Sequence, residues 1–119
     1  MAEKVSFQIG LNAEAEGHPV VSDNFDFAEN WRESTRQRIN LGITTATTHT
    51  IALGGVTDAR IIAIDVKKPI KIRLEAHTVG DGFTVRGKAI MMVDSKTLIV
   101  NNLQAYATPN EATIVVWGT

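Results

Sequence analysis

The chain has 119 residues, of which 44% are hydrophobic and 21% charged, and it contains no cysteine. These values predict one globular domain with its own core, and they exclude a disordered chain, a disulfide framework and a thiolate metal site. A net charge of −1 argues against a free-standing nucleic-acid-binding protein, and no apolar run reaches the length of a membrane-spanning helix.

Charge is distributed unevenly along the chain. Residues 1–33 hold seven acids and two bases, a net charge of −5, whereas residues 34–119 hold six acids and ten bases, a net charge of +4. The two parts can attract each other within one molecule or between neighbouring copies, or both can simply be solvated. Solvation is the favoured interpretation, because exposed charge pairs contribute little to stability.

The N-terminal residues predict one strand and then a loop. Residues 4–11 alternate between apolar and polar side chains, which is typical of a half-buried strand. Residues 12–19 are acidic and contain Gly17 and Pro19, so we expect a loop there, followed by a short strand at Val20 and Val21. We expect a single β-sandwich domain over residues 1–119, in which residues 1–24 can form an extended N-terminal arm.

Residues 25–41 are compatible with two kinds of secondary structure. Phe27, Trp31 and Thr35 have helical spacing, so one short helix near residues 26–37 is an alternative. The alternation of apolar and polar residues is longer and ends at Leu41, just before a glycine. We therefore favour a strand over residues 32–41.

The middle of the chain has the clearest strand pattern. Five threonines between residues 43 and 50 suit an extended backbone. Residues 60–66 and 70–74 then carry apolar, mostly β-branched residues at every second position. Lys67, Lys68 and Pro69 separate these two strands, and because proline has no N–H for a sheet, we expect a bend or a crossing between sheets there.

The C-terminal half continues as strands separated by turns. The Asp81-Gly82 pair predicts a hairpin, with residues 83–93 as the returning strand. Further strands are expected at 97–100, 104–107 and 112–117, with turns at 101–102 and 108–110. Together these elements predict an all-β fold, an antiparallel β-sandwich or jelly roll of about eight strands.

Catalytic and metal-binding patterns are sparse. His18, His49 and His77 lie far apart and lack metal-ligand spacing, which favours surface histidines, although a small jelly-roll enzyme with a metal remains an alternative. Asp23 and Asp26, beside Glu29, are more simply solvated acids than a carboxylate pair for acid–base work or calcium. We therefore expect a protein that is not an enzyme and has no cofactor or metal.

The candidate interface residues are two tryptophans and three lysines. Trp31 and Trp117 are core residues or exposed interface anchors, and Trp117 lies two residues from the C-terminus on an expected edge strand. Together with Arg73, the lysines Lys67, Lys68 and Lys71 form a basic patch that suits a contact with a partner of opposite charge, and the three lysines are the expected charge partners. Trp31 or Tyr106 would stack on sugar rings in an alternative, carbohydrate-binding protein.

The strand rhythm of residues 50–118 resembles a group of structural proteins from the virions of tailed bacteriophages. The matching segments are residues 51–56, 60–74, 89–94, 98–103 and 111–118. The chain departs from that group where Glu75, Ala76 and His77 replace an Asn-Gly turn, and its N-terminal third has no counterpart.

This resemblance implies a β-sandwich that self-associates, which we expect to be a trimer, and that decorates or cements a capsid or forms part of a tail. Its other partners would be virion proteins such as the major capsid protein, with no nucleic acid and no membrane. The protein would reside in the virion after assembly in the host cytoplasm. A carbohydrate-binding or host-attachment module is the alternative function.

Overall fold

The computed structural model describes residues 3–31, 33–75, 77–78 and 81–119, and within them the chain is all-β, with ten strands and no helix. The strands are β1 (Glu3–Ala15), β2 (His18–Trp31), β3 (Glu33–Gly42), β4 (His49–Thr50), β5 (Ala59–Val66), β6 (Ile70–Leu74), β7 (Phe83–Val85), β8 (Lys88–Ser95), β9 (Leu98–Asn102) and β10 (Asn110–Gly118). They form a two-stranded ribbon, β1-β2, and two four-stranded antiparallel sheets, β3-β10-β5-β8 and β4-β9-β6-β7. The chain divides into two compact units, residues 1–31 and residues 32–119.

The first unit is a long hairpin, in which β1 pairs with β2 from Glu3 opposite Trp31 to Ala15 opposite His18. The predicted acidic loop over residues 12–19 is wrong, because only Glu16 and Gly17 form the turn. Both have positive φ, 52° and 78°, as a tight two-residue hairpin turn requires. The paired segment continues to Trp31, beyond residue 24, which is the expected end of the N-terminal arm.

The ambiguous segment after residue 25 is extended throughout its described part. The strand predicted over residues 32–41 is confirmed as β3, whereas the alternative helix near residues 26–37 is wrong. Exposure along β3 explains the outcome, because Thr35, Gln37 and Ile39 are half-buried while Arg36 and Arg38 are exposed. A period of two fits this burial, and a helical period does not.

The second unit is an antiparallel β-sandwich, as predicted. The two four-stranded sheets enclose a core of buried aliphatic side chains supplied by alternate strand positions, chiefly Ile62, Ile64, Val66, Ile70, Ile72, Leu98, Val100, Ala112, Ile114 and Val116. Each large aliphatic side chain contributes roughly 1.5–3 kcal/mol when fully buried. The two central strands predicted from the sequence, β5 and β6, therefore supply half of these ten core positions.

The segment between β5 and β6 crosses from one sheet to the other, as its proline predicted. β5 belongs to the sheet β3-β10-β5-β8 and β6 to the sheet β4-β9-β6-β7. The backbone N–H of Lys68 finds its acceptor in the Asn110 side chain at 3.0 Å. The crossing is thus held by a side chain from β10.

Several C-terminal elements differ from the prediction. The expected return strand over residues 83–93 is two strands in different sheets, because the chain turns at Gly87, whose φ is 78°. Residues 104–107 form no strand. Asn101 and Asn102 lie within β9 instead of forming a turn, and the threonine-rich segment yields only the two-residue strand β4.

Candidate interaction surface

The sheet β3-β10-β5-β8 has an outer face, opposite the core, that is built from the alternate residues of its four strands. Cross-strand pairing aligns these residues in rows. One row is Ser34, Trp117, Ile61 and Met92, and the next is Arg36, Val115, Ala63 and Ile90. Because paired residues lie on the same side of a sheet, the apolar members of both rows are contiguous. We name this set of six residues the apolar patch: Ile61, Ala63, Ile90, Met92, Val115 and Trp117.

The apolar patch is open to solvent only on its β8 side, because Ile61 is buried and Ala63, Val115 and Trp117 are half-buried. Ile90 is 45% exposed and Met92 is 60% exposed, although neighbouring residues of β8 pack against the core on the other face. A shallow groove of about 240 Å³ runs along this surface, with Ala63, Ile90 and Val115 among its lining residues. Edge strands normally carry charged or polar residues on their solvent side, so a strand that is apolar on both faces marks a contact surface.

Ion pairs border the apolar patch at both ends. At one end Asp65 and Lys88 approach to 3.9 Å and Glu111 and Lys67 to 3.8 Å. At the other end Arg60 and Asp94 are 3.2 Å apart. Exposed pairs of this kind add little stability. Their consequence here is that three of the acids of this sheet are already paired within the chain.

Two arginines line the patch on the β3 side. Arg36 and Arg38 are both exposed and lie on the outer face of β3, opposite Val115 and Thr113. Arg38 also lines a cleft of about 190 Å³ with Asp65, Lys67 and Glu111. Neither arginine makes an ion pair with a residue whose side chain the structure describes. The patch is therefore flanked by cationic groups that are available to a partner.

The predicted interface residues are spread over the molecule. Trp117 is half-buried within the apolar patch, and the expected edge position is wrong, because β10 lies between β3 and β5. Trp31 ends β2, and its side chain lies outside the described part of the structure. Lys67 faces Glu111, whereas Lys71 lies on β6 of the other sheet. The predicted basic patch is thus divided between the two sheets.

Lys68 is engaged within the chain. Its Nζ donates a hydrogen bond to the Thr108 carbonyl at 3.0 Å and lies 5.3 Å from the centre of the Tyr106 ring. The Tyr106 hydroxyl in turn donates to the Pro69 carbonyl at 2.6 Å. Lys68 and Tyr106 therefore stabilise the crossing between the sheets, and the face and hydroxyl of this tyrosine already have partners.

A second, polar cleft lies on the sheet β4-β9-β6-β7. Its volume is about 280 Å³, and Lys71, Arg73, Asp81 and Asn101 are among its lining residues. A hydrogen bond from the Thr78 hydroxyl lowers the pKa of Asp81, against partial desolvation and with smaller help from the charges of His77 and Lys71. Asp81 is therefore ionised beside the two cationic side chains.

Of the described histidines, His77 has clear structural contacts. The Nδ1 atom of His77 accepts a hydrogen bond from the Leu74 N–H at 2.9 Å, and its ring packs edge-on against Phe83. His49 is half-buried in β4, and the side chain of His18 lies outside the described residues. No group of three or more potential metal ligands occurs among the residues that the structure describes.

The candidate carboxylate pair belongs to the hairpin. Asp23, Asp26 and Glu29 lie in β2, with side chains outside the described part of the structure. The described residues include no helix that could cross a membrane.

Sequence reasoning missed the apolar patch as a surface. Its signal was present in residues 89–93, which are apolar at consecutive positions, but only the strand pairing places Ile90 and Met92 in the same rows as Ala63, Val115 and Trp117. Comparisons with protein-family models, with curated proteins and with solved structures find no match to this chain.

Proposed function

We propose that this chain is a non-enzymatic structural protein of a bacteriophage virion, which self-associates and decorates or cements a capsid or forms part of a tail. The observation that carries the proposal is the apolar patch on the outer face of β3-β10-β5-β8, with Ile90 and Met92 exposed at its edge. Covering a sheet face of this kind with another protein surface removes apolar side chains from water and so favours association.

The mechanism is association without a chemical step. The apolar patch supplies the dry centre of an interface, and its charged border supplies the polar rim. Stable interfaces bury about 800 Å² on each partner, so the patch alone is too small and the flanking strands must take part. Trp117 is the anchor that we assign to the centre, since tryptophan is enriched among residues that dominate binding.

The virion location rests on the resemblance of residues 50–118 to tailed-phage structural proteins. Small sandwiches with exposed sheet faces suit a repetitive shell, because one contact is repeated at every symmetry-related position. In this proposal the partners are further copies of the chain, forming a trimer, and other virion proteins such as the major capsid protein. The chain joins the particle during assembly in the host cytoplasm.

The proposal is tested by measuring the oligomeric mass of the chain and its binding to virion proteins. Native mass spectrometry of the full chain should give a discrete oligomer, and the purified protein should bind capsids or tails of its own phage. Ile90→Lys should reduce both the oligomer and the binding. A chain that stays monomeric at high concentration and binds no capsid or tail protein would overturn the proposal.

The polar cleft favours a second candidate function, carbohydrate binding or host attachment. Lys71, Arg73, Asp81 and Asn101 present hydrogen-bonding groups to one small volume, as sugar hydroxyls require. Tyr106 is a poor stacking platform because its ring and hydroxyl are occupied. Specific binding on a glycan array that is lost in both Trp31→Ala and Arg73→Ala would support this function over the first.

A further inference from the structure

We infer that the apolar patch of one copy is covered by the β1-β2 hairpin of a second copy. This inference rests on the self-association proposed above and identifies the partner segment. Three properties of the hairpin and the patch support it: the apolar pairing within the hairpin, its length and its charge.

The hairpin has an apolar face that suits packing on another sheet. An isolated two-stranded ribbon is at best marginally stable in water, because one pair of strands cannot bury a core. The register opposes Phe7 to Phe27 and Ile9 to Phe25, so these aromatic and aliphatic positions share one face of the ribbon. A ribbon with such a face is stabilised by packing on another apolar sheet.

The dimensions of the two surfaces agree. β1 has 13 residues, which at about 3.3 Å per residue gives a ribbon roughly 43 Å long. β8 has 8 residues and β10 has 9, so the strands that carry the patch are roughly 26–30 Å long. One hairpin is therefore long enough to cover the full length of the patch.

The charges of the two surfaces are complementary. Residues 1–31 contain six acids and one base, a net charge of −5, whereas residues 32–119 have a net charge of +4. Arg36 and Arg38 stand beside the patch without a described acidic partner. An acidic ribbon that lies along β3 would supply that partner, and the pairing would guide the encounter as well as the register.

A face-to-face dimer of two patches fits these charges less well. The described acids of the outer face are already paired within the same chain, Asp65 with Lys88, Glu111 with Lys67 and Asp94 with Arg60. Such a dimer would bring no further acid to Arg36 or Arg38. Face-to-face packing gives a two-fold dimer, whereas hairpin-on-face packing gives a two-fold dimer when it is reciprocal and a ring such as a trimer when it runs head to tail and closes.

A cross-linking experiment tests the inference on the full chain. Because the chain has no cysteine, Ala63→Cys places a single thiol at the centre of the patch, where a maleimide-linked benzophenone can be attached. The probe-bearing chain is refolded together with isotope-labelled wild-type chain and irradiated, and mass spectrometry then identifies the joined peptides. Leu103→Cys, an exposed position at the edge of the polar cleft, is the matched control, and Thr113→Cys is a second probe site should Ala63→Cys fail to fold.

We expect the probe at residue 63 to join labelled peptides from residues 1–31, with loss of these products for the probe at residue 103. Cross-links to the patch of the labelled chain, cross-links confined to one chain, or an oligomer that gives no cross-link would each overturn the inference while leaving self-association standing. A chain that is monomeric by native mass would overturn the proposed self-association as well.

Discussion

The Nδ2 atom of Asn110 donates a hydrogen bond to the Oδ1 atom of Asn102 at 3.0 Å, and both side chains are buried. Asn110 begins β10 in one sheet and Asn102 ends β9 in the other. The same Asn110 amide bonds both the N–H and the carbonyl of Lys68 at 3.0 Å, and the Asn102 amide reaches the carbonyls of Leu41, Gly42 and Thr44. This pair therefore joins the two sheets and satisfies backbone groups at the place where the chain crosses between them.

The first prediction concerns this pair. Asn110→Ala should lower the free energy of unfolding by about 2–4 kcal/mol, because it leaves the Lys68 backbone groups and the Asn102 oxygen without partners in a buried place. Chemical denaturation measures the change. Asn101→Ala is the control, since that amide bonds Thr47 and Thr48 at an exposed position, and it should cost roughly 1 kcal/mol or less. Equal losses in the two variants would contradict this role of Asn110.

The pair also shows where sequence reasoning ends. The alternation of Ile62, Ile64 and Val66 predicted β5 because burial on one face leaves a period of two in the sequence. Asparagine is common in turns, so the same reasoning placed turns at residues 101–102 and 108–110. Only the three-dimensional fold brings the two asparagines together, where buried backbone groups outweigh their preference for turns.

Only part of the candidate surface was predictable from the sequence, since single residues could be named but not their neighbours. Trp117 was expected on an edge strand because it lies near the chain end, but β10 pairs with β3 on one side and β5 on the other, so it is an interior strand. The neighbours of Trp117 in the patch come from strands β5 and β8, and that adjacency depends on strand order. Lys67 and Lys71 are four residues apart, yet the crossing at Pro69 sends them to different sheets. Their closeness along the chain therefore did not predict closeness in the fold.

A second prediction concerns Gly118, the last residue of β10. A Cβ atom at this position would collide with the Asp58 carbonyl oxygen and lie 2.8 Å from Cγ1 of Val56. The Asp58 carbonyl accepts from the Thr119 N–H at 3.2 Å, so it has little freedom to move. Gly118→Ala should lower the free energy of unfolding by roughly 3 kcal/mol or more.

The control for this variant is Gly42→Ala. Gly42 has a φ of 68°, and nothing lies within 4 Å of a Cβ built there. Alanine at this position is therefore destabilising only through its left-handed backbone conformation, which should lower the free energy of unfolding by about 1–2 kcal/mol. Thermal unfolding followed by circular dichroism compares the two variants. A Gly118→Ala protein no less stable than Gly42→Ala would mean that the chain end moves aside.

A third prediction separates folding from association at the patch. Ile90→Lys should change the free energy of unfolding by about 0.5 kcal/mol or less, because Ile90 is an exposed position. The same variant should weaken self-association roughly tenfold or more, since a charge would enter the apolar centre of the interface. Sedimentation velocity measures the association. Leu103→Lys, at an exposed residue of the polar cleft, should leave it unchanged.

A fourth prediction concerns the pH dependence of Asp81. Its folded-state pKa is lowered below the ordinary value of 3.8, chiefly by the hydrogen bond from Thr78. A depressed carboxyl pKa stabilises the folded state above the unfolded pKa, and this contribution is lost as the pH falls through the folded pKa. Thr78→Val should raise the Asp81 pKa towards 3.8, measured by following the carboxyl carbon in an NMR titration. A pKa unchanged by this variant would assign the shift to the remaining causes, the backbone hydrogen bond of Thr78 and the charges of His77 and Lys71.

The final prediction concerns the charges beside the patch. Reversing both arginines in Arg36→Glu/Arg38→Glu should weaken self-association roughly tenfold or more, because an acidic hairpin would then face an acidic β3 edge. Association of the wild-type chain should also weaken between 50 and 300 mM salt, whereas that of the reversed variant should strengthen, since salt screens attraction in one case and repulsion in the other.

Arg86→Glu together with Lys96→Glu is the matched control, because it changes the net charge equally at exposed positions outside the patch. If the effect came from net charge alone, both double variants would weaken association to the same degree. A specific contact predicts a larger loss for the pair on β3. It also predicts recovery when the hairpin acids are changed in the same chain, as in Asp23→Lys/Glu29→Lys, because opposite charges then face each other again across the interface.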